Sequence, residues 1–287
     1  MAMLEAMRTY SLDDVHATRK RRDSWWTVYV VDPVACRAAL LVANHTRITP
    51  NELTVFSLVL GLVSAVCFAL DQLVAGSAMF YLSFMVDCVD GKIARLKGTG
   101  TPFGLWLDYV GDRVRVVFCA MGLAYGQYTL TGDVRYILLG AGVAVLDLFR
   151  YVNAPQMKRV RETIKLARAE AAELALGYGV DKPVRRGPAR SPGRPLTPAV
   201  RVRRFMKRLN KYLARRRVRS HLISGIEFHA AVFVVAPLVG VVALVPVAAA
   251  AGALLLANEI FLVYRMWIFT RRHTVPVQVE NREHVLV

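Results

Sequence analysis

The sequence has few cysteines, and no two of them are spaced as a pair. Among its 287 residues the four cysteines are single and lie in or beside apolar segments, at Cys36, Cys67, Cys88 and Cys119. A zinc site or a disulfide framework would need cysteines at short, regular spacings, so this pattern excludes both. An apolar run before a small-residue cleavage site is also missing from the polar N-terminal region, so we expect no cleavable signal peptide.

Basic residues are almost absent from the apolar segments, although the formal net charge is +17. Apolar residues make up 55% of the chain and are gathered into blocks of roughly 20, the length that crosses a bilayer as a helix. A helix in a soluble core would instead show an apolar stripe and a polar face. We therefore expect an all-α fold, a bundle of six transmembrane helices at about 53–70, 76–95, 104–126, 134–153, 225–246 and 248–269.

Lys and Arg are concentrated in alternate connections between these segments. The basic connections are 1–50 with seven, 92–98 with three, 155–220 with twenty and 271–287 with three. The connections without a basic residue are 71–75, 127–133 and 247. Because basic connections favour the cytoplasmic side, we expect a multi-pass protein of the cell membrane with both termini in the cytoplasm.

These features divide the chain into four parts. We expect a cytoplasmic N-terminal segment at 1–50, transmembrane helices one to four at 51–154, a basic cytoplasmic insertion at 155–220, and helices five and six with a cytoplasmic tail at 221–287. Aromatic residues beside basic ones predict an interfacial amphipathic helix at roughly 33–45 in the first part.

The insertion contains two kinds of sequence. Residues 182–198 are rich in Pro, Gly and Arg, which predicts a flexible linker. Residues 200–219 carry apolar side chains at helical spacing among Arg and Lys, which predicts a basic amphipathic helix lying on anionic lipid. We do not expect nucleic acid as a partner, because no recognition motif accompanies the charge.

Four aspartates stand near the predicted cytoplasmic ends of the second and third membrane helices. Asp87 and Asp90 are three residues apart, and Asp108 and Asp112 are four apart, so each pair lies on one face of its helix. The short loop 96–103 predicts that the two helices are antiparallel neighbours, which brings the pairs together. Four converging anions repel one another and are costly near hydrocarbon, so we expect divalent cations between them.

Oxygen ligands alone favour Mg²⁺ or Mn²⁺ over zinc, and two such ions would suit the displacement of a diphosphate. Small residues beside the acids, Gly91, Ala94 and Gly104, leave room for phosphate, and Arg95 offers it a permanent positive charge. The bland interpretation is that the aspartates form buried salt bridges with basic residues nearby, namely Lys92, Arg95, Arg113 and Arg115.

The eight positions of this motif resemble the signature of the CDP-alcohol phosphotransferases, D-x-x-D-G-x-x-A-R-x8-G-x3-D-x3-D. The matching residues are Asp87, Asp90, Gly91, Ala94, Arg95, Gly104, Asp108 and Asp112. The resemblance implies an integral membrane enzyme of phospholipid synthesis that transfers a phosphoalcohol from a CDP-linked donor to a hydroxyl and releases CMP. It also implies a homodimer.

The resemblance further implies a role for each motif residue. Asp87, Asp90, Asp108 and Asp112 are implied as metal ligands, with Asp112 also the general base for the acceptor hydroxyl. The residues implied to bind CDP and its phosphates are Gly91, Ala94, Arg95, Gly104, Asn51, Thr54 and Thr101. The active site is then cytoplasmic, like the basic connections.

The sequence leaves open the identity of the donor and that of the acceptor. A small polar acceptor such as inositol phosphate or glycerol phosphate, with CDP-diacylglycerol as donor, suits the cationic surface. The alternative is a CDP-linked small alcohol with a lipid acceptor. Glu227, His229 and Arg150 are at the predicted depth of the site and are candidates for an acceptor pocket.

Functions of another class are less consistent with the sequence. A membrane scaffold whose basic insertion binds lipid has no need of four carboxylates. A transporter predicts two related halves with interrupted helices, and no such repeat is present.

Overall fold

The computed structural model of the protein describes residues 9–177, 198–219 and 224–271. Within these ranges every regular element is helical. The helices are α1 (Leu12–Ala17), α2 (Asp32–His45), α3 (Pro50–Ala69), α4 (Leu73–Lys97), α5 (Pro102–Thr131), α6 (Val134–Gly177), α7 (Pro198–Arg215), α8 (Gly225–Ala230), α9 (Ala236–Val239) and α10 (Val241–Arg271). The segments Thr27–Val31 and Ala231–Val235 are π-helical turns that lead into α2 and α9. The expected all-α fold is confirmed for the described residues.

The chain divides into two compact units. One comprises Met1–Leu148 with Val202–Leu256, and the other comprises Phe149–Arg201 with Ala257–Val287. The four-part division expected from the sequence stays a prediction. The flexible linker predicted at 182–198 lies outside the described residues except for Pro198, and so does the tail after Arg271.

Local sequence signals fix where the helices of the first unit begin and end. Thr49 and Glu52 form a capping box before α3, in which each side chain accepts a hydrogen bond from the other residue's backbone N–H. The side chain of Thr101 caps α5 by accepting a hydrogen bond from the backbone N–H of Gly104, and a proline stands in the first turn of both helices. Helix α4 ends at Gly98, whose φ of +67° is a left-handed conformation that glycine adopts readily.

Helix α3 is the element on which α4 and α5 are assembled. Both pack extensively against α3, whereas the backbones of α4 and α5 approach each other little. A Cβ atom at Gly122 or Gly126 would strike the carbonyl oxygen of Ala65 or Phe68, so the two glycines let α5 lie directly on α3. The expectation that α4 and α5 are immediate neighbours is therefore wrong: α3 holds them, and their side chains meet across the space between.

Several membrane-length helices make this a multi-pass membrane protein. Five described segments are long and apolar enough to cross a bilayer: Thr27–His45, Pro50–Ala69, Leu73–Lys97, Val134–Glu170 and Val241–Arg271. A sixth, Gly225–Val239, is apolar but shorter. Helix α5 is absent from this group because charged side chains in its first half and polar ones at its end lower its hydropathy. The six-span count and the interfacial position of α2 stay predictions.

The predicted connection at residue 247 is wrong. The helix ends instead before Gly240, which has a φ of +118° and donates its N–H to the carbonyl of Ala236. Side chains other than hydrogen strain this conformation, so the break occurs at the glycine. Pro246 then lies within α10, near its start, where the loss of one backbone N–H is tolerated.

A test of the α3–α5 packing is the substitution Gly122→Ala. We expect it to destabilise the protein by about 1–3 kcal/mol, the usual cost of overpacking a close contact, because the added methyl group meets the backbone of Ala65. Thermal unfolding of the purified protein in detergent measures the effect. The matched control is Gly142→Ala, an exposed helical glycine whose Cβ would meet no atom within 4 Å. Equal stability of the two variants would contradict the packing described.

Candidate active site

The four motif aspartates lie at the facing ends of α4 and α5. Oxygen atoms of Asp87, Asp90 and Asp108 all lie within 4.8 Å of one another, close enough to share one cation. Asp90 is buried, and the other two are partly exposed. The structure therefore brings three of the four predicted ligands together, two from α4 and one from α5.

Helix α3 contributes directly to this group. The hydroxyl of Thr54 lies 2.5 Å from Oδ2 of Asp90 and donates a hydrogen bond to it. Thr54 also lies 3.0 Å from the carbonyl oxygen of Pro50, one turn earlier in the same helix. Sequence reasoning placed Thr54 near the nucleotide, and its observed partner is a predicted metal ligand.

The fourth aspartate has a different partner. Nη2 of Arg115 forms an ion pair and a hydrogen bond with Asp112, one turn away on the same helix. The other terminal nitrogen of Arg115 lies 3.5 Å from Asp87 and donates to Oγ of Ser83 at 3.1 Å. Arg115 is buried, with 4% of its surface exposed, and bridges the acids of α4 and α5. For Asp112 the salt-bridge interpretation is thus borne out in part.

A second buried set of charges continues from Asp112. Arg113 lies 3.8 Å from Asp112 and is paired with Asp147 of α6, a fully buried carboxylate. Asp147 in turn lies 2.7 Å from Nε2 of His229 at the end of α8. The sequence suggested His229 for an acceptor pocket, and the structure places it, buried, in this chain of charges beside the acids.

The other basic residues of the motif are directed elsewhere. Lys92 is buried and pairs at 2.9 Å with Asp32 at the start of α2, which Arg217 also contacts at 3.2 Å. The Nε atom of Arg95 donates to the carbonyl of Thr18 at 2.8 Å, and its guanidinium lies beside Gly91, where a Cβ would be 3.3 Å from Nη1. Neither side chain pairs with a motif aspartate, and the exposed Arg95 has terminal nitrogens at the surface next to the cluster.

The residues expected around a nucleotide also meet. The hydroxyl of Thr101 accepts a hydrogen bond from the N–H of Gly104 at 2.9 Å and lies 3.5 Å from Nδ2 of Asn51. A Cβ atom at Gly104 would collide with Oδ1 of Asn51, so only glycine permits this contact between α3 and the start of α5. Ala94 stands one turn after Asp90 on α4 and is only partly exposed.

The other two suggested acceptor residues also have structural partners. Glu227 is buried, and its carboxylate accepts a hydrogen bond from the backbone N–H of Ser224, the residue that caps α8. It also accepts a hydrogen bond from the backbone N–H of Trp25 at 3.0 Å. Arg150 belongs to the second compact unit, where its Nε lies 4.0 Å from Glu259, and Glu259 also accepts from Asn153 at 3.0 Å. Their part in an acceptor pocket stays a prediction.

Sequence reasoning named Arg115 only as a possible salt-bridge partner and did not identify Thr18 or Asp32. The signal for Arg115 was its spacing: three residues after Asp112, it shares the same helix face. No comparable signal existed for Thr18 and Asp32, since their contacts with Arg95 and Lys92 join distant parts of the chain.

Comparison with known proteins adds an independent observation. Residues 47–176 match the model of the CDP-alcohol phosphatidyltransferase family. Similar proteins include the "Bifunctional IPC transferase and DIPP synthase" of Aquifex aeolicus, 40% identical over 67 residues, which are 23% of this chain and 15% of that protein.

Two further relatives are synthases of inositol phosphate lipids by name. The archaetidylinositol phosphate synthase of Pyrococcus horikoshii is 30% identical over 92 residues, 32% of this chain and 48% of the relative. The phosphatidylinositol phosphate synthase of Mycobacteroides abscessus is 37% identical over 86 residues, 30% of this chain and 37% of the relative. The chain thus spans less than half of the length of each of these three relatives.

The contact of Gly104 with Asn51 can be tested by substitution. We expect Gly104→Ala to weaken CMP binding at least ~10-fold, a loss of about 1.4 kcal/mol, because the added methyl group displaces Asn51. Calorimetric titration of CMP into the purified protein measures this. The matched control is Gly100→Ala in the loop just before α5, where the Cβ would meet only Ala94 at 3.9 Å. Unchanged CMP affinity in Gly104→Ala would exclude this corner from the nucleotide site.

Proposed function

We propose that this protein, whose residues 47–176 belong to the CDP-alcohol phosphatidyltransferase family of membrane enzymes, transfers a phosphatidyl group from CDP-diacylglycerol to a small polar acceptor. Inositol phosphate is the first candidate acceptor and glycerol phosphate the second. The names of the relatives from P. horikoshii and M. abscessus support an inositol phosphate product. The observation that carries the proposal is the convergence of Asp87, Asp90 and Asp108 at the ends of two helices.

The three carboxylates fit a divalent cation. They offer only oxygen ligands, which suits Mg²⁺ or Mn²⁺, and their oxygen atoms lie within 4.8 Å of one another. We propose that Asp87, Asp90 and Asp108 hold the ion, with Thr54 fixing one oxygen of Asp90. When bound, such an ion neutralises the diphosphate of the donor and makes its phosphorus more open to attack. A second ion, expected from the motif, would need Asp112.

The surrounding residues have the properties required to bind the nucleotide half of the donor. Arg95 presents its guanidinium beside Gly91, at the end of α4, where it can bind phosphate oxygens. Asn51 and Thr101 bring an amide and a hydroxyl to one corner of the site, next to Gly104. We propose that this corner, with Ala94 close to it, receives CDP.

Asp112 is the proposed general base. As the acceptor hydroxyl oxygen forms its bond to the phosphorus of the phosphatidyl group, its proton passes to the Asp112 carboxylate. The bond between that phosphorus and the oxygen bridging to CMP breaks, and CMP leaves with the electron pair. Arg115 and Arg113 lie beside Asp112 and fix its position for this step.

The placement of the site follows from the membrane topology that we propose. With six spans and both termini in the cytoplasm, the aspartates at the end of α4 and the start of α5 face the cytoplasm, where CDP-linked donors and polar acceptors meet. The protein is proposed to be a homodimer. Gly122 and Gly126 are not available for its interface, because they pack on α3 of the same chain.

Product identification tests the proposed reaction. The purified protein, given labelled CDP-diacylglycerol and inositol phosphate with Mg²⁺, should release CMP and form a labelled phosphatidylinositol phosphate. Excess chelator should abolish the reaction, because the acid cluster without a cation repels the diphosphate, and added Mg²⁺ or Mn²⁺ should restore it. Chelator saturated beforehand with Mg²⁺ is the control. Product formed only from a CDP-linked small alcohol and diacylglycerol would reverse the assignment of donor and acceptor, and full activity in free chelator would refute the metal.

The substitution Asp112→Asn tests the general base separately from metal binding. We expect near-normal affinity for CDP-diacylglycerol but turnover at least ~100-fold slower, because the amide keeps the shape and cannot accept the proton. Asp87→Asn and Asp108→Asn should instead weaken Mn²⁺ and nucleotide binding together. Calorimetric titration beside a CMP-release assay distinguishes these effects, with Asp133→Asn, which removes an ion pair with Arg135 outside the cluster, as control. A loss of donor binding in Asp112→Asn as large as in Asp87→Asn would show that Asp112 is a ligand.

A further inference from the structure

Arg115 is an unusual neighbour for a cation site. Its buried side chain extends into the acid cluster. One terminal nitrogen, Nη2, contacts Asp112, and the other, Nη1, contacts Asp87 and Ser83. A positive charge in this position occupies the place that an additional cation would need in order to bind Asp112 and Asp87 together. The guanidinium and a second metal ion therefore compete for the same two carboxylates.

The packing around Arg115 holds it in this position. A Cβ at Gly61 would lie 2.6 Å from Cγ and 2.7 Å from Cδ of Arg115, so the arginine stem fills the space that the glycine leaves on α3. Its guanidinium lies 6.0 Å from the centre of the Phe80 ring on α4. Residues of α3 and α4 thus enclose this side chain of α5, which is 4% exposed.

The charge of Arg115 also offsets the cost of gathering four carboxylates. Removing one partner of a buried ion pair leaves the other charge uncompensated, which is strongly unfavourable. Arg115 therefore gives Asp112 a compensating positive charge from the protein itself. Asp87, Asp90 and Asp108 have less compensation at close range: in the part of the chain that the structure describes, Asp87 lies 3.5 Å from Arg115, while Lys92 and Arg95 are directed to Asp32 and Thr18.

We propose that Arg115 is a built-in cation that takes the place of a second metal ion, so that the cluster binds a single divalent ion through Asp87, Asp90 and Asp108 and leaves Asp112 outside the coordination sphere. This inference rests on the proposed function and deepens it. The resemblance to the family implied that Asp112 is both a metal ligand and the general base. Because Arg115 is paired with Asp112, we keep the role of base and drop that of ligand. Arg115 is a positioning residue in this reaction, since it acts through Asp112.

Counting bound Mn²⁺ in the full-length protein in detergent tests the proposal without measuring activity. Equilibrium dialysis should find one Mn²⁺ per wild-type chain, and electron paramagnetic resonance should show an isolated ion. Arg115→Met keeps the length and apolar stem of the side chain and removes the charge, so it should bind a second Mn²⁺. The two ions, about 4 Å apart as in two-metal sites, should give a spin-coupled spectrum.

Three variants separate the role of Arg115 from general damage to the fold. Arg115→Lys keeps a positive charge and should bind one ion. Arg115→Met combined with Asp112→Asn removes both members of the pair and should also bind one, since the second site has lost its carboxylate. Lys92→Met removes a different buried cation, whose partner is Asp32, and should leave the count at one.

The outcomes are distinct for the two proposals. If wild-type protein binds no Mn²⁺, the metal site of the proposed function is wrong. Two coupled Mn²⁺ ions in the wild type, or a single ion in a folded Arg115→Met variant, would overturn the role of Arg115 and leave the proposed reaction standing. Should Arg115→Met fail to fold, Gly61→Ala displaces the arginine stem while every charge remains, and an unchanged single ion in that variant would also overturn the inference.

Discussion

The mutual repulsion of four carboxylates at the facing ends of α4 and α5 is the constraint on which the architecture of this site depends. In or near a bilayer such charges are costly unless each has a partner. The protein meets the constraint in two ways. Arg115 compensates Asp112 and part of Asp87 from within the helix bundle, and Thr54 donates a hydrogen bond to Asp90. The remaining negative charge, shared by Asp87, Asp90 and Asp108, makes the site attractive to a divalent cation.

Helix α3 makes this arrangement possible because most residues on its buried face are small or hydroxylated. Gly61 gives Arg115 its path to the acids, and the backbone at Ala65 and Phe68 receives the glycines of α5. Ser57 accepts a hydrogen bond from Ser83 through its carbonyl oxygen, which ties α3 to α4 near the same level. A bulkier α3 would separate α4 from α5, and the carboxylates could not approach one another.

The basic residues near the cluster differ in what they are able to do. Lys92 and Arg113 are bound to the buried carboxylates Asp32 and Asp147, so their charges stabilise the packing of α4 and α5 against other elements. Arg95 is exposed and contacts a backbone carbonyl through Nε alone, which leaves its terminal nitrogens directed toward the region of Gly91. Among these three cations, Arg95 is the one placed to meet a phosphate group.

The sequence by itself determined the helical membrane fold, the helix boundaries with strong caps, and the pairing of acids on single helix faces. These depend on residues close together in the chain, such as Thr49 with Glu52 or Asp108 with Asp112, and local geometry fixes their relation. The break at Gly240 was missed because the apolar residues run without interruption from one helix into the next, and the left-handed backbone at the glycine marks the break. Tertiary structure alone decided that α4 and α5 are both packed on α3, that Lys92 pairs with Asp32, and that Arg115 contacts Asp87 of α4 as well as Asp112. Such partners are distant in sequence, or they share a helix face with several other residues that could form the same contact. The packing of the helices selects the partner, and a local sequence pattern does not contain this information.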